Sequence, residues 1–241
     1  MNDDLEAVLR QFTADVVEIY GVDLLAVVLY GSAASDEFVR GKSNINCLVL
    51  LKEVTPQQLK KCSGHLRKWH GDGMATPLFV DPAYVDSSVD VFPIEFLDMK
   101  QRYRTLHGED FLRALKVKPE HLRFQCEQEL KGKMLKLRQM YLEGSGAEAR
   151  LAGLLVKSIG TFIVLFRALL FLKQMPAPHS ASEILDGLSG LGLRVAAMRR
   201  VYDLKRKEAG PGDLGALDSL FAEYLQEIQA AVYYVDALQA G

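Results

Sequence analysis

The chain has 241 residues, of which 49% are apolar and 25% are charged, and its formal net charge is −2. This composition is typical of a globular protein with room for one large domain or two small ones. The near-neutral charge does not indicate a nucleic-acid partner.

The cysteines indicate the compartment. Cys47, Cys62 and Cys126 are odd in number and irregularly spaced, so they predict neither a disulfide framework nor a zinc site. Reduced thiols in a cytoplasmic protein are the expectation. The acidic N-terminus has no basic region followed by an apolar core, so it is not expected to be a signal peptide.

One apolar segment, residues 151–173, raises the question of a membrane. Lys157 and Arg167 interrupt it, and its uncharged run is much shorter than the roughly 18 residues that a spanning helix needs. We interpret the segment as a buried helix of a bundle and expect no membrane partner.

The first half of the chain alternates between helix and strand patterns. In chain order, the predictions are a helix over residues 3–20, strands over 24–30 and 45–51, a helix from Thr55-Pro56 to about His70, and strands over 78–80 and 89–97. Pro93 would put the last strand at a sheet edge or at a bulge. Such alternation is typical of a mixed sheet with flanking helices, which we expect on one side of the sheet.

From about Pro119 onward only helical periodicity is present. Helices are predicted over residues 119–141, 148–174, 182–191 and 193–207, and again after the breaker Gly210-Pro211-Gly212. Helices of this length with short connections pack as a bundle. The sequence therefore predicts an α+β fold in two domains, with a sheet domain over residues 1–116 and an all-α bundle over residues 117–241.

The turn after the first strand is the first candidate site. Gly31 allows a sharp turn and the close approach of a ligand, and Ser32 adds a hydroxyl donor. Asn44 and Asn46 precede and begin the next strand, and residues two apart in a strand share a face. The two amides are therefore expected to point back toward the Gly31-Ser32 turn.

This pattern resembles the nucleotidyltransferases of the DNA polymerase beta superfamily, on the residues Tyr30-Gly31-Ser32-Ala33-Ala34 and Ser43-Asn44-Ile45-Asn46. The helical second half is similar to the bundle of aminoglycoside nucleotidyltransferases and other small bacterial members. The resemblance implies a nucleoside triphosphate held at the Gly-Ser turn, and two Mg²⁺ ions held by an Asp-apolar-Asp pair. It also implies a third carboxylate from a later strand.

The chain departs from that pattern where the chemistry depends on it. Asn44 and Asn46 occupy the positions of the two aspartates, and a neutral amide is a poorer ligand for Mg²⁺ than a carboxylate. Glu95 is the candidate for the third, catalytic carboxylate, with Asp90 and Asp98 as alternatives. Each of these three acids is also interpretable as a solvated side chain at a strand end.

Three hypotheses follow for the function. The chain is a degenerate, weak or inactive nucleotidyltransferase that binds a nucleotide, at Gly31, Ser32, Asn44 and Asn46, or binds a protein partner. Alternatively, it is an active enzyme that uses Mg²⁺, a nucleoside triphosphate, Glu95 and a non-standard set of carboxylates. The third hypothesis is a regulatory protein that pairs with a partner or with a second copy of itself.

Overall fold

The structure is a computed structural model that describes residues 3–34, 44–144, 148–178, 180–206 and 216–238. The chain divides into two compact units, Met1–Val117 and Lys118–Gly241. In the first unit the described elements are α1 (Asp3–Tyr20), β1 (Leu24–Tyr30), β2 (Asn46–Leu51), α2 (Pro56–Lys61), α3 (Leu66–Gly71), β3 (Leu78–Val80), α4 (Pro82–Ser88), α5 (Pro93–Gln101), β4 (Tyr103–Gly108) and α6 (Phe111–Ala114).

The four strands of the first unit form one mixed sheet in the order β3-β2-β1-β4. Strand β1 pairs antiparallel with β2 and with β4, and β2 pairs parallel with β3. The prediction that residues 24–30 and 45–51 form neighbouring strands is confirmed.

The sheet is buried on both faces, because successive residues of β1 and β2 are mostly apolar and their side chains point alternately to the two faces. On one face, Val27, Leu29 and Val49 pack with α1 and with Trp69 of α3. On the other face, Ala26, Leu48 and Leu50 pack with Val85 of α4 and Phe96 of α5. The expectation of helices on one side only is wrong, since the residues assigned to a fourth strand, 89–97, contribute to the second helical layer.

Residues 89–97 are not a strand. Pro93 begins α5, where the missing amide hydrogen of proline costs nothing. Four residues of this helix are buried at helical spacing: Pro93, Ile94, Phe96 and Leu97. The proline that was interpreted as a sheet-edge residue is therefore a helix-start residue.

The single helix predicted from Thr55 to about His70 is also interrupted. Thr55 caps α2 by accepting a hydrogen bond from the Gln58 amide at 3.2 Å, and α2 ends at Lys61. Ser63 and Gly64, both poor helix formers, follow. The Ser63 hydroxyl donates to the Lys60 carbonyl, which stabilises a turn before α3 begins.

A buried carboxylate joins α1 to α3. Asp15 accepts hydrogen bonds from Trp69 Nε1 at 3.0 Å and from Lys68 Nζ at 2.8 Å, and also from Gln11. Burial raises the pKa of the Asp15 carboxyl, but these hydrogen bonds outweigh burial and hold the pKa below its ordinary value. The ionised form therefore stabilises the fold at neutral pH, and this contribution is lost as the pH falls through the folded-state pKa.

The second unit is a helical bundle. Its described helices are α7 (Pro119–Gly144), α8 (Glu148–Leu172), α9 (Ala181–Gly190), α10 (Ala196–Arg206) and α11 (Leu217–Asp236). The stripe predicted along α7 is the face that packs, since Leu122, Cys126, Leu130, Met134 and Leu137 are all buried. The breaker at residues 210–212 lies outside the described residues.

Helix α8 is long and apolar enough to cross a membrane by length and composition alone. However, 61% of its most apolar window is buried inside the structure, and Arg167 is itself only 7% exposed. With this much of its surface buried, α8 is the central helix of the bundle.

All three cysteines are buried and unpaired. Burial raises the pKa of Cys47 and of Cys126 to about 12. For Cys47 the charge of Arg104 lowers the pKa by less than burial raises it. Neither of these two thiols forms a thiolate near neutral pH.

A second buried carboxylate holds the bundle together. Glu227 of α11 is 4% exposed and accepts hydrogen bonds from the backbone amides of Ala197 at 3.0 Å and Met198 at 2.9 Å. These are first-turn amides of α10, which have no partner within their own helix. Glu227 therefore caps α10 from a neighbouring helix.

We expect Glu227→Ala to lower the free energy of unfolding by about 2–4 kcal/mol, because it leaves two buried donors unpaired. The control is Glu223→Ala on the same helix, where the carboxylate is 43% exposed and 3.5 Å from Arg200. It should cost less than about 0.5 kcal/mol. Urea unfolding monitored by circular dichroism measures both variants, and equal losses would show that the cap contributes nothing.

Candidate nucleotide site

The turn at the end of β1 is formed as the sequence predicts. Strand β1 ends at Tyr30, and residues Gly31–Ala34 form a short 3₁₀ turn. Gly31 has φ +78°, in the left-handed region where a side chain is strained. Its amide donates to the carbonyl of Arg102 at 2.9 Å, which fixes the turn against the residue that precedes β4.

Strand pairing brings Asn46 to this turn. Asn46 lies opposite Tyr30 on β1, and Tyr30 lies opposite Tyr103 on β4, so the three residues form one row across the sheet. A Cβ atom placed on Gly31 would lie 3.5 Å from Nδ2 of Asn46. The structure therefore brings together Gly31 and Asn46, two of the four residues predicted for the nucleotide site.

Asn44 is more exposed than Asn46, whereas Ser32 is half-buried like Asn46. Asn44 is exposed and precedes the strand, and the buried residue Ile45 separates it from half-buried Asn46. The Ile45 backbone is held in both directions, because its amide donates to Gly73 and its carbonyl accepts from Ala75. This extended geometry leaves Asn44 and Asn46 on the same side. Ser32 is half-buried within the turn.

Glu95 does not lie on a strand. It is an exposed residue in the first turn of α5, and Asp90 is exposed in the segment before that helix. Asp98 is half-buried on α5, and its carboxylate lies 3.4 Å from the guanidinium of Arg102. The premise that assigned the third carboxylate to Glu95, a strand over residues 89–97, is wrong.

The later strand that pairs with β1 is β4, which the sequence analysis missed. Its residues are Tyr-Arg-Thr-Leu-His-Gly, without a carboxylate. The β-forming residues Tyr103 and Thr105 were a signal for this strand. A second signal was Gly108, which has φ +76° and comes so close to the Leu25 carbonyl that a Cβ atom would overlap it.

Several of the described polar groups near the turn are neutral or paired. Arg104 makes two hydrogen bonds to Glu6 of α1, at 2.9 and 3.2 Å, and the Tyr103 hydroxyl donates to Asp110 at 3.1 Å. Burial, with a smaller contribution from Cys47, raises the pKa of Tyr30 to about 12. The phenol of Tyr30 is therefore protonated at neutral pH and is no candidate base.

The residues present do not fit the metal that the resemblance implies. Asn44 and Asn46 are uncharged, and β4 supplies no acid. Within the described ranges, no three His, Cys, Asp or Glu side chains are grouped so that they could hold a metal ion. Asp36, Glu37, Arg40 and Lys42 lie outside the described residues.

Relative to the aspartate pair that the resemblance implies, the difference in charge is large in energetic terms. Two unit charges about 4 Å apart interact by about 4 kcal/mol at an effective dielectric constant of about 20. Replacing two carboxylates by amides therefore removes several kcal/mol of attraction for a divalent cation. At about 1.4 kcal/mol per factor of ten, a metal-dependent step would slow by orders of magnitude.

Two cavities lie elsewhere. One, of about 460 Å³, is at the opposite end of the same sheet; its lining includes Leu24, Leu50, Val85, Asp86, Glu109 and Phe111. Another, of about 620 Å³, lies within the bundle; its lining includes Tyr141, Glu148, Arg150, Leu154, Lys157 and Asp218. Neither is lined by Gly31 or Asn46, so the candidate site rests on the strand ends.

No family model and no curated protein sequence matches the chain. Among solved structures, it is similar to spectinomycin adenyltransferase AAD(9) from Enterococcus faecialis, solved with ATP and spectinomycin. The match covers 92% of this chain and 98% of that one, with a TM-score of 0.54 and 11% sequence identity. The chain has a nucleotidyltransferase fold. The α+β fold with a helical bundle, predicted from the resemblance, is confirmed at the level of the fold.

We expect Gly31→Ala to destabilise this nucleotidyltransferase fold by about 1–2 kcal/mol, because the left-handed conformation penalises a Cβ atom. The new methyl group would make only an ordinary contact with Asn46, so strain in the backbone is the source of the cost. Gly64→Ala is the control, since a Cβ atom there meets nothing within 4 Å and φ is not left-handed. Urea unfolding that gives both variants the same midpoint would contradict this geometry.

Proposed function

We propose that this protein binds a nucleotide through its nucleotidyltransferase fold and is catalytically weak or inactive in nucleotidyl transfer. The observation that carries the proposal is that the side chains at the strand ends around Gly31 are uncharged at Asn44 and Asn46. The resemblance puts Asn44 and Asn46 at the positions of the aspartate pair, and β4 has no acid. Binding needs shape and hydrogen bonds, whereas transfer in this superfamily also needs the missing charges.

Two features of the Gly-Ser turn support a nucleotide as the ligand. The turn keeps its glycine, and Asn46 lies beside it with an amide that both donates and accepts hydrogen bonds. The solved neighbour was crystallised with ATP and spectinomycin. We extend the nucleotide to this chain, and not the spectinomycin, because the retained residues are those of the Gly-Ser turn.

An active enzyme is the alternative. It would have to bring Glu95, or an acid outside the described residues such as Asp36 or Glu37, to the turn. The exposed position of Glu95 on α5 counts against this alternative, since a catalytic carboxylate must reach the reacting group.

We further propose a cytoplasmic location, which three buried, unpaired cysteines support. A protein partner or a second copy of the chain remains the other candidate ligand of this fold. Size-exclusion chromatography with light scattering measures the molar mass in solution and so shows whether two copies of the chain associate.

We expect the purified chain to transfer no nucleotide above background from ATP, GTP, CTP or UTP, because charge stabilisation of the transition state is missing. The measurement is pyrophosphate release with Mg²⁺. The control for contaminating activity is the Gly31→Ala variant taken through the same purification. Robust release by the wild type that is lost in Glu95→Gln would establish the active alternative.

We also expect the double substitution Asn44→Asp with Asn46→Asp to create a metal site. The side chains are near-isosteric, so packing should be kept, but the two acids repel each other in the absence of metal. Manganese should then raise the unfolding temperature of the double variant by about 2–4 °C for each kcal/mol of binding.

The matched control for this experiment adds the same two charges elsewhere, as Gln128→Glu with Gln139→Glu on the exposed face of α7. Thermal unfolding is followed with and without manganese for the wild type and both variants. If manganese shifts all three equally, or shifts none, Asn44 and Asn46 do not occupy the positions of metal ligands.

A further inference from the structure

A cavity at the end of the sheet opposite Gly31 has a lining that the proposed nucleotide binding does not use. Its volume is about 460 Å³, within the range of small-molecule pockets. We propose that it binds a small amphipathic amine, with an apolar body inside the cavity and a cationic nitrogen held by Asp86 and Glu109. This binding site goes beyond the proposed nucleotide binding and does not depend on it.

The floor of the cavity is apolar. Leu50 of β2 and Val85 of α4 are 6% and 5% exposed, and both belong to the core between the sheet and the helices α4 and α5. Half-buried Leu25, Phe111 and Leu115 also line the cavity. A ligand that fills it therefore needs an apolar body, since burial of apolar surface supplies most of the affinity in such a pocket.

An irregularity in β1 shapes the sheet at this end. The pairing of β1 with β2 passes from Leu24 directly to Ala26, while β2 advances by only one residue. Leu25 is therefore the extra residue of a β-bulge. Successive strand residues normally point to opposite faces, yet Leu24 and Leu25 both line the cavity. The shape of the cavity therefore follows from the pairing of β1.

Hydrogen bonds fix the two helices beside the cavity. Asp81 caps α4 and also accepts a hydrogen bond from the Val54 amide at 3.3 Å, which ties the start of α4 to the segment after β2. The Lys100 ammonium donates to the carbonyl of Arg113 at 3.0 Å and to that of Leu115, which holds the end of α6. With both walls anchored, the cavity is largely preformed, as small-molecule sites usually are.

The charge of the lining selects the sign of the ligand. Among the described residues that line the cavity, Asp86 and Glu109 are the only ionisable ones. Neither carboxyl forms a hydrogen bond or an ion pair within the part of the chain that the structure describes. The Lys100 ammonium is bound by the two carbonyls of α6 and its end, and Arg113 does not line the cavity. A cationic ligand is therefore attracted and an anionic ligand repelled.

An organic cation fits these two acids better than a metal ion does. The described ranges hold no group of three potential ligands that could bind a metal. A protonated amine needs only one or two carboxylate acceptors, and its apolar part matches the buried lining. Because both carboxyls are exposed, their charge contributes selectivity more than affinity.

The test is an NMR titration of protein labelled at its leucine and valine methyl groups, because these side chains line the cavity. The ligands are tryptamine, its neutral analogue tryptophol and the anion indole-3-propionate, which share one ring system and differ in charge. We expect tryptamine to shift the methyl resonances of Leu25, Leu50 and Val85, with a Kd of about 1 mM or lower. The Kd for tryptophol should be about three- to tenfold higher, and that for indole-3-propionate higher still.

Substitutions separate the contribution of charge from that of shape. Asp86→Asn with Glu109→Gln should raise the Kd for tryptamine to that for tryptophol and leave the Kd for tryptophol unchanged. The matched control, Glu53→Gln with Asp72→Asn, removes two exposed acids of the same unit that do not line the cavity, and should change neither Kd. Ala114→Leu places a larger side chain in the lining, so it should weaken the binding of both ligands.

Equal Kd values for the three ligands, or an unchanged Kd for tryptamine in the Asp86→Asn, Glu109→Gln variant, overturn the selection of an amine by these acids. No methyl shift at the cavity with any ligand, or shifts spread over both units, overturn the site itself. The methyl spectrum of each variant verifies its fold, since all the substituted side chains are exposed. Nucleotide binding is tested separately, because Gly31 follows the other end of β1, about 20 Å along the strand.

Discussion

The first unit depends on one constraint, which is that β1 is hydrogen-bonded along both of its edges. Its seven residues are buried or half-buried, and its partners come from later parts of the unit, since β2 begins at Asn46 and β4 at Tyr103. A slip by one residue would move every side chain of the slipped strand to the opposite face, and each face packs against a different set of helices. The same registers place Asn46 and Tyr103 beside Tyr30, so the composition of the candidate site follows directly from strand pairing.

The resemblance implies asparagine at the positions of two aspartates, and this exchange separates two properties that a carboxylate site combines. Shape and hydrogen-bonding capacity are kept, since the amide occupies nearly the same volume, and formal charge is lost. Elsewhere the chain does bury carboxyl groups, and it surrounds them with hydrogen-bond donors. Asp15 accepts from Lys68, Trp69 and Gln11, and Glu227 accepts from two backbone amides. Those acids have protein donors as partners, as buried charges require, whereas the strand ends around Gly31 carry amides and phenols.

The sequence predicted the elements whose patterns are unambiguous. The β-branched run Leu24–Tyr30, the long stripe of α7 and the turn at Gly31 all lie where local pattern and tertiary burial agree. It misassigned residues 89–97, because a short apolar run with one proline fits both an edge strand and a helix start, and only packing against Leu48 and Leu50 decides between them. It missed β4 because Arg104 and His107 weaken the apolar pattern, although Arg104 is held by Glu6, about a hundred residues away in sequence. The candidate site was therefore half predictable, as Gly31 and Asn46 come from local motifs, whereas the hydrogen bond from Gly31 to the Arg102 carbonyl joins distant parts of the chain.

Each unit contains at least one buried cysteine, whose rate of alkylation reports how often that unit opens. Cys47 and Cys62 lie in the first unit and Cys126 in the second, and a buried thiol reacts with an alkylating reagent only when the surrounding structure opens. Labelling kinetics followed by peptide mass spectrometry would then yield separate opening free energies for the sheet unit and the bundle from one unmodified sample. Ligands could be screened in the same way, because a compound that binds one unit would slow labelling of that unit's thiols alone.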